Sequence, residues 1–203
     1  MLLKVHPDKP NPHEIDLAVE HLKNGDVIIY PTDTVYALGC DIYNQKAVNK
    51  ICSIKGINPK KANFSFICHD LSHISSFTKN VDTPTYKLMK KSLPGPFTFI
   101  LNANNQVPKL FKSNKKTVGI RIPENNIALD IVKKLGNPIM STSIHDTDKV
   151  LAYPTDPEVI YERFKGIVDI TIDGGYGTNE VSTVIDCTNS EPFIIRQGKG
   201  KIE

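Results

Sequence analysis

The sequence predicts an α/β fold: one twisted sheet of mixed parallel and antiparallel strands, with helices packed on it. Three observations predict it. Short runs of apolar and β-branched residues alternate with segments whose apolar residues recur at helical spacing, the pattern of a sheet covered by helices. The last two strand-like runs, Ser182 to Cys187 and Phe193 to Arg196, are joined by a short Asn-Ser-Glu-Pro turn, which makes an antiparallel hairpin and hence a mixed sheet. No linker-like stretch, repeat or low-complexity tract interrupts the 203 residues, so the whole chain, 1–203, reads as a single domain.

Taken in order, Leu2 to Val5 reads as a short strand, and Pro7, Pro10 and Pro12 enforce an extended lead-in. Asn11 caps a helix with Pro12 at its first position; Ile15, Ala18, Val19 and Leu22 form its apolar stripe and Gly25 stops it. Val27 to Tyr30 is a buried strand that must end at Pro31, which cannot donate to a central ladder. Thr32, Asp33 and Thr34 then place hydroxyls and a carboxylate at a rim before the chain turns apolar again from Val35 to Cys40. A helix follows over Asn44 to Ile54, then a basic loop from Lys55 to Lys61. Asn63 leads into a strand, Phe64 to Cys68. A helix over Thr83 to Lys91 precedes the rigid turn Pro94-Gly95-Pro96 and the strand Phe97 to Leu101.

In Lys116 to Ile122, alternation puts Val118, Ile120 and Ile122 on one face and Thr117, Gly119 and Arg121 on the other. An arginine beside a glycine on one strand face suits a surface that receives an anion; an arginine on a solvent-facing edge strand is the competing reading. Arg121 is expected at the rim rather than in the core, so that its replacement would leave the fold intact. Asn125 to Leu135 is a helix closed by Gly136, and Pro138 to Ser143 brings Ser141, Thr142 and Ser143 to a second strand end. A loop from Ile144 to Pro154, a helix over Pro157 to Lys165 and a strand Val168 to Asp173 complete the series before the terminal hairpin.

Bulk properties narrow the class. Hydrophobic residues make up 39% and charged residues 23%, as in soluble globular proteins. No apolar run approaches the roughly 20 residues that span a bilayer. The N-terminus MLLKVHPDKP lacks the pattern of a signal peptide, so a cytoplasmic location with no membrane partner is expected. Cys40, Cys52, Cys68 and Cys187 form no C-x-x-C pair and read as buried thiols; with six histidines also lacking ligand spacing, no protein-bound structural metal is expected. The net charge is +3, and the lysines cluster at Lys60 and Lys61, at Lys87, Lys90 and Lys91, from Lys109 to Lys116, and at Lys133 and Lys134. Such clusters serve either as solvated faces or as a surface for a polyanion.

Phosphate-loop, dinucleotide, nucleophile-elbow and zinc-helix motifs are all absent. What remains is polar groups at strand ends: Thr32, Asp33 and Thr34; Lys55; Asn63; Thr117 and Arg121; Ser141 and Ser143; Ser182 and Thr183; Arg196. Lysine, arginines and hydroxyls gathered in one cavity would suit a nucleotide phosphate. No paired carboxylates or Ser/His/Asp set stands out, which favours catalysis by positioning and charge neutralisation, as in phosphoryl or nucleotidyl transfer.

YPTDTVYALG, Lys55 in a K-G-x loop, Asn63, PGPFTFIL, TVGIRIP, PIMSTS, DGG, STVID and IIRQG follow one another in an order that resembles the YrdC/YciO family, the threonylcarbamoyl-AMP synthase-like proteins. The resemblance covers about residues 14 to 200. It implies a YrdC-like fold with a large, positively charged cavity and a nucleotidyltransferase activity. That activity joins L-threonine, bicarbonate and ATP into threonylcarbamoyl-adenylate with release of pyrophosphate, magnesium assisting with ATP, for the N6-threonylcarbamoyladenosine modification of tRNA. It also implies tRNA or double-stranded RNA as partners. By the same resemblance Lys55 and Ser143 are catalytic; Lys55, Asn63, Thr117, Ser143 and Arg196 bind ATP; and Thr34, Arg121, Ser141 and Ser182 bind threonine. The sequence departs from the family pattern where Ile57 replaces an arginine and His145 an asparagine, where the Lys55–Asn63 loop is longer, and where the family's pocket histidine falls at Cys68, with His69 one step along. These departures resemble the YciO branch, and they allow a second reading: a nucleotide- or double-stranded-RNA-binding protein with weak or no synthase activity.

Overall fold

Among the described residues ten strands hydrogen-bond into one sheet, and each face of it is set by alternation along the strands. The computed structural model describes residues 1–58, 64–111, 116–144, 154–189 and 191–202. Within them the chain runs β1 (Leu2–Lys4), α1 (Pro12–Asn24), β2 (Ile28–Tyr30), β3 (Ala37–Asp41), α2 (Gln45–Lys55), β4 (Ser65–Ile67), α3 (Leu71–Ser75), α4 (Thr83–Ser92), β5 (Phe97–Asn102), β6 (Thr117–Arg121), α5 (Asn126–Leu135), β7 (Ile139–Ser143), α6 (Pro157–Phe164), β8 (Ile170–Asp173), β9 (Thr183–Asp186) and β10 (Phe193–Arg196). The strand order is β1-β8-β2-β3-β7-β4-β6-β5-β9-β10. Four pairs are parallel (β1–β8, β2–β8, β4–β6 and β5–β9) and the rest antiparallel, so the sheet is mixed, and the terminal β9–β10 hairpin is antiparallel as expected.

The helices form where the sequence places their caps. In α1 the Asn11 side chain accepts from His13 N, Pro12 opens the helix, and Gly25 closes it in the left-handed region at φ 86°. In α5 Asn125 accepts from Ala128 N and Gly136 closes the helix at φ 84°. Each cap supplies partners to backbone groups that the helix itself leaves unpaired. Helices α1 and α5 pack together and cover one end of one sheet face. There Ile15, Val19, Leu22, Ile127, Ile131 and Val132 meet Ile28, Tyr30, Ala37, Ile67, Ile139, Ile170 and Ile172. Each such large side chain contributes about 1.5–3 kcal/mol on burial.

The opposite face carries Leu38, Cys40, Phe66, Phe99, Leu101, Val118, Ile120, Met140 and Ile185, packed by Ala47, Val48 and Ile51 of α2, Ile74 of α3, Met89 of α4 and Ile160 of α6. The four cysteines are buried free thiols. Two elements go beyond the sequence reading. The run Val35 to Cys40 yields β3, antiparallel to β2, so Pro31–Tyr36 is the loop of a hairpin. Residues 71–75 form the short helix α3, started by Asp70, whose side chain accepts from His73 N. Among the described residues no helix is long and apolar enough to cross a membrane.

Candidate functional site

The half of the sheet face that α1 and α5 leave uncovered is the floor of a cavity of about 880 Å³. Strand register lays one row through it, Ser141, Ser65, Gly119, Ile100 and Asp186, each the cross-strand partner of the next, and continues it to Gly39 at one end and Phe193 at the other. The middle of the row is glycine and serine, so the floor is low. At Gly119 an added Cβ would lie 3.2 Å from Phe64 O and from Ser65 Oγ. The alternation read in the sequence holds: Thr117, Gly119 and Arg121 line the cavity, and Thr98, Ile100 and Asn102 line it from β5.

Arg121 departs from its expected place at the rim. It is buried at 8% exposure, and its Nη2 donates to Asp33 Oδ1 at 2.7 Å and to Thr34 Oγ1 at 3.1 Å. The β2–β3 loop makes this contact possible. Thr32 Oγ1 donates to Val35 O at 2.8 Å, accepts from Thr34 N at 3.1 Å and lies 3.0 Å from Thr34 Oγ1, so the loop is fixed by its own hydroxyls. Two atoms of the ion pair, Arg121 Nε and Asp33 Oδ2, are buried with no hydrogen-bond partner. Buried polar atoms are nearly always paired, so these mark a place where a further polar group belongs. Tyr30 Oη donates to Ser141 Oγ at 2.7 Å, and burial pushes the Tyr30 phenol up to about 12. Lys199, from the tail, donates to Asp33 O at 2.7 Å.

At the other side Arg196 reaches the cavity through a β-bulge. Ile194 pairs with Ile185, but Arg196 pairs with Val184, so Ile195 is the extra residue. Without the bulge, alternation would turn Arg196 to the opposite face. Its Nη2 donates to Ser182 O at 2.8 Å, and Ser182 Oγ lies 2.8 Å from Thr98 Oγ1. Thr183 points to the other face and donates to Gly200 O at 2.6 Å, anchoring the tail rather than lining the cavity.

Thr34, Thr117, Arg121, Ser141, Ser143, Ser182 and Arg196 therefore meet in one recess. Lys55 does not line it. From the end of α2 its Nζ donates to Ser143 O at 2.8 Å, just behind the floor, and burial lowers its pKa to about 8. Asn63, His145, Lys60 and Lys61 lie outside the described residues. Cys68 is fully buried on the helix-packed face, and His69 lies tilted against His73 with ring centroids 4.4 Å apart; neither lines the cavity. The charged lining residues among those described are Arg121, Arg196 and Asp186. Lys90 and Lys91 close α4, and Lys133 and Lys134 close α5, away from the cavity, with Lys134 paired to Asp16. The sequence reading missed Ser65, Thr98, Asn102 and Asp186. Period-two alternation in Phe97–Asn102 and Thr183–Asp186 carried that signal.

Known proteins share this fold. The Sua5/YciO/YrdC family model, described as "Telomere recombination", matches residues 20–198. An uncharacterised protein of Haemophilus influenzae is 42% identical over 197 residues, 97% of this chain and 94% of that one. The crystal structure of Escherichia coli YciO is 39% identical, covers 99% of this chain and 97% of its own, and superposes with a TM-score of 0.92. The threonylcarbamoyl-AMP synthase of Pyrococcus abyssi is 31% identical over 188 residues, 91% of this chain but 54% of its own length. A crystal structure of Pyrococcus abyssi Sua5 complexed with L-threonine superposes with a TM-score of 0.88 at 28% identity, over 98% of this chain and 57% of that one. The chain belongs to the Sua5/YciO/YrdC family.

Proposed function

We propose that this protein makes threonylcarbamoyl-adenylate from L-threonine, bicarbonate and ATP. The observation that carries the reading is the buried Arg121–Asp33 pair, with one unpartnered atom on each side, at one end of a recess large enough for a nucleotide as well. A guanidinium with a spare N–H suits a carboxylate; Thr34 lies against it, and Ser141 and Ser182 supply further hydroxyls along the same lining. The threonine complex of the Pyrococcus abyssi relative supports the same assignment. In this reading the threonine nitrogen bonds to the bicarbonate carbon as a C–O bond breaks and water leaves, and the resulting carbamate presents an oxygen to the α-phosphorus of ATP. The new P–O bond forms as the α–β bridge breaks and pyrophosphate leaves. Thr117, Ser143 and Arg196 hold phosphate and ribose oxygens, Lys55 stands behind Ser143 as a cation close to its titration point, and Asn63 keeps the nucleotide role that the resemblance gives it.

Among the described residues no group of three or more His, Cys, Asp or Glu could hold a metal ion. Magnesium therefore enters this reading carried on the triphosphate, whose charge it neutralises. The N6-threonylcarbamoyladenosine modification of tRNA is the fate this product would have, and the cytoplasm the place. The test is pyrophosphate release from ATP that requires both threonine and bicarbonate; release independent of threonine rejects the reading.

One observation favours a second reading. Ile57, 37% exposed just past Lys55, brings no charge to the phosphate side, and the loss of such a cation weakens transition-state stabilisation. Nucleotide or double-stranded RNA binding without pyrophosphate release, with RNA affinity falling steeply as salt rises, selects that reading instead.

A further inference from the structure

A carboxylate is an adverse neighbour for a triphosphate, yet Asp186 is one of the three charged side chains among the described lining residues. It stands two strand spacings, about 10 Å, from the strand that carries Arg121. From Ser141 to Asp186 the row crosses four strand spacings, about 19 Å. Its own geometry is fixed. Oδ1 accepts from Thr188 N at 2.9 Å and from Thr188 Oγ1 at 2.6 Å, which leaves Oδ2 without a partner among the described residues. Directly across the hairpin stands Phe193, half exposed, and cross-strand partners share a face. The bulge adds Ile195 to the same wall. The carboxylate thus shares its sheet face with an apolar, partly aromatic surface that stays exposed among the described residues.

We infer that this end of the cavity holds the nucleobase, and that Asp186 selects a base bearing an exocyclic amino group, which donates to Oδ2 while its ring lies against Phe193 and Ile195. The inference rests on the nucleotide-binding reading above and assigns its orientation: amino acid at Arg121, phosphates between, base at Asp186. A bond of this kind distinguishes an amino from a keto group, and an aromatic platform accepts either ring.

Equilibrium titration of the full chain with ATP and with ITP, which carries a keto group where ATP has its amine, tests the inference. The unaltered protein should prefer ATP about tenfold. Asp186→Asn keeps an oxygen for both Thr188 donors but presents an amide N–H in place of Oδ2, so the preference should reverse toward ITP. Phe193→Ala should weaken both nucleotides alike. Equal affinity of the unaltered protein for ATP and ITP, or an unchanged ATP:ITP ratio in Asp186→Asn, overturns the inference while leaving nucleotide binding in place. A uniform, magnesium-dependent loss in Asp186→Asn also overturns it, because the carboxylate would then serve the metal. Failure of any nucleotide to bind overturns both this inference and the function it rests on.

Discussion

One face of one sheet does two different things. Toward β1 it carries Ile28, Tyr30, Ala37, Ile139, Ile170 and Ile172 and is sealed by α1 and α5. Toward β10 it carries Ser65, Thr98, Thr117, Gly119, Ser141 and Ser143 and stays open over about 880 Å³. The backbone is continuous across both halves, so the difference lies in the side chains. Isoleucines stand high and apolar, and a helix must cover them; glycines and serines stand low and polar, and leave space with hydrogen-bonding groups at its base. The boundary runs through single strands. On β4, Ile67 belongs to the sealed half and Ser65, two residues earlier on the same face, to the floor; on β7, Ile139 is sealed, while Ser141 and Ser143 are on the floor.

The sharpest way to break this division is to remove the charge that the open half keeps buried. Asp33→Ala leaves Arg121 without its counter-ion at a position 8% exposed. Breaking a buried pair costs about 3–5 kcal/mol, because the survivor remains desolvated. Urea denaturation should show that loss, and adding Arg121→Met should recover much of it. A cost below about 1 kcal/mol would mean that water already reaches the pair and that the open half is wetter than its geometry implies.

The boundary itself can be sharpened by two substitutions on one strand. Ile67→Val should cost about 1 kcal/mol, from a lost methylene in a packed site. Ser65→Ala should change stability by less than about 0.5 kcal/mol, since it faces the cavity. The order should reverse for ligand affinity, with Ser65→Ala weakening nucleotide or amino-acid binding and Ile67→Val leaving it unchanged. Equal effects of both substitutions on stability would erase the boundary.

These contrasts also show what the sequence could and could not disclose. Period two in Thr117–Arg121 was enough to put Thr117, Gly119 and Arg121 on one face, and the caps Asn11, Gly25, Asn125 and Gly136 placed both covering helices. Motif order brought Ser141, Ser143, Ser182 and Arg196 to one recess. The partner of Arg121 was not legible, because Asp33 lies 88 residues away and meets it only through the β2–β3 hairpin. Arg196 reached the right place for a reason alternation does not contain, the bulge at Ile195. Lys55 stands behind the floor because its side chain closes on Ser143 O, a contact between residues 88 apart in the sequence.

Lys55 gives the smallest effect, and it ties the opposite face of the sheet to the open half, since α2 packs the core of that face while the side chain of its last residue reaches Ser143 O behind the floor. Burial holds its pKa near 8, below the usual 10.5 of a lysine. Below pH 8 the side chain is charged in both folded and unfolded chains, and the burial penalty on the charged form is fully felt. Between about pH 8 and 10.5 the unfolded chain binds a proton that the native chain lacks, so stability rises with pH across that window. Lys55→Met should remove this contribution to the slope in denaturation series run on either side of it. A phosphate held next to Lys55 Nζ favours the charged form, so nucleotide binding above pH 8 should draw a proton from solution. Calorimetry in two buffers of different ionisation enthalpy reads that proton directly, and Lys55→Met should abolish it. Binding with no proton uptake would mean that the phosphates stay away from α2, and that Lys55 only braces the Ser143 carbonyl.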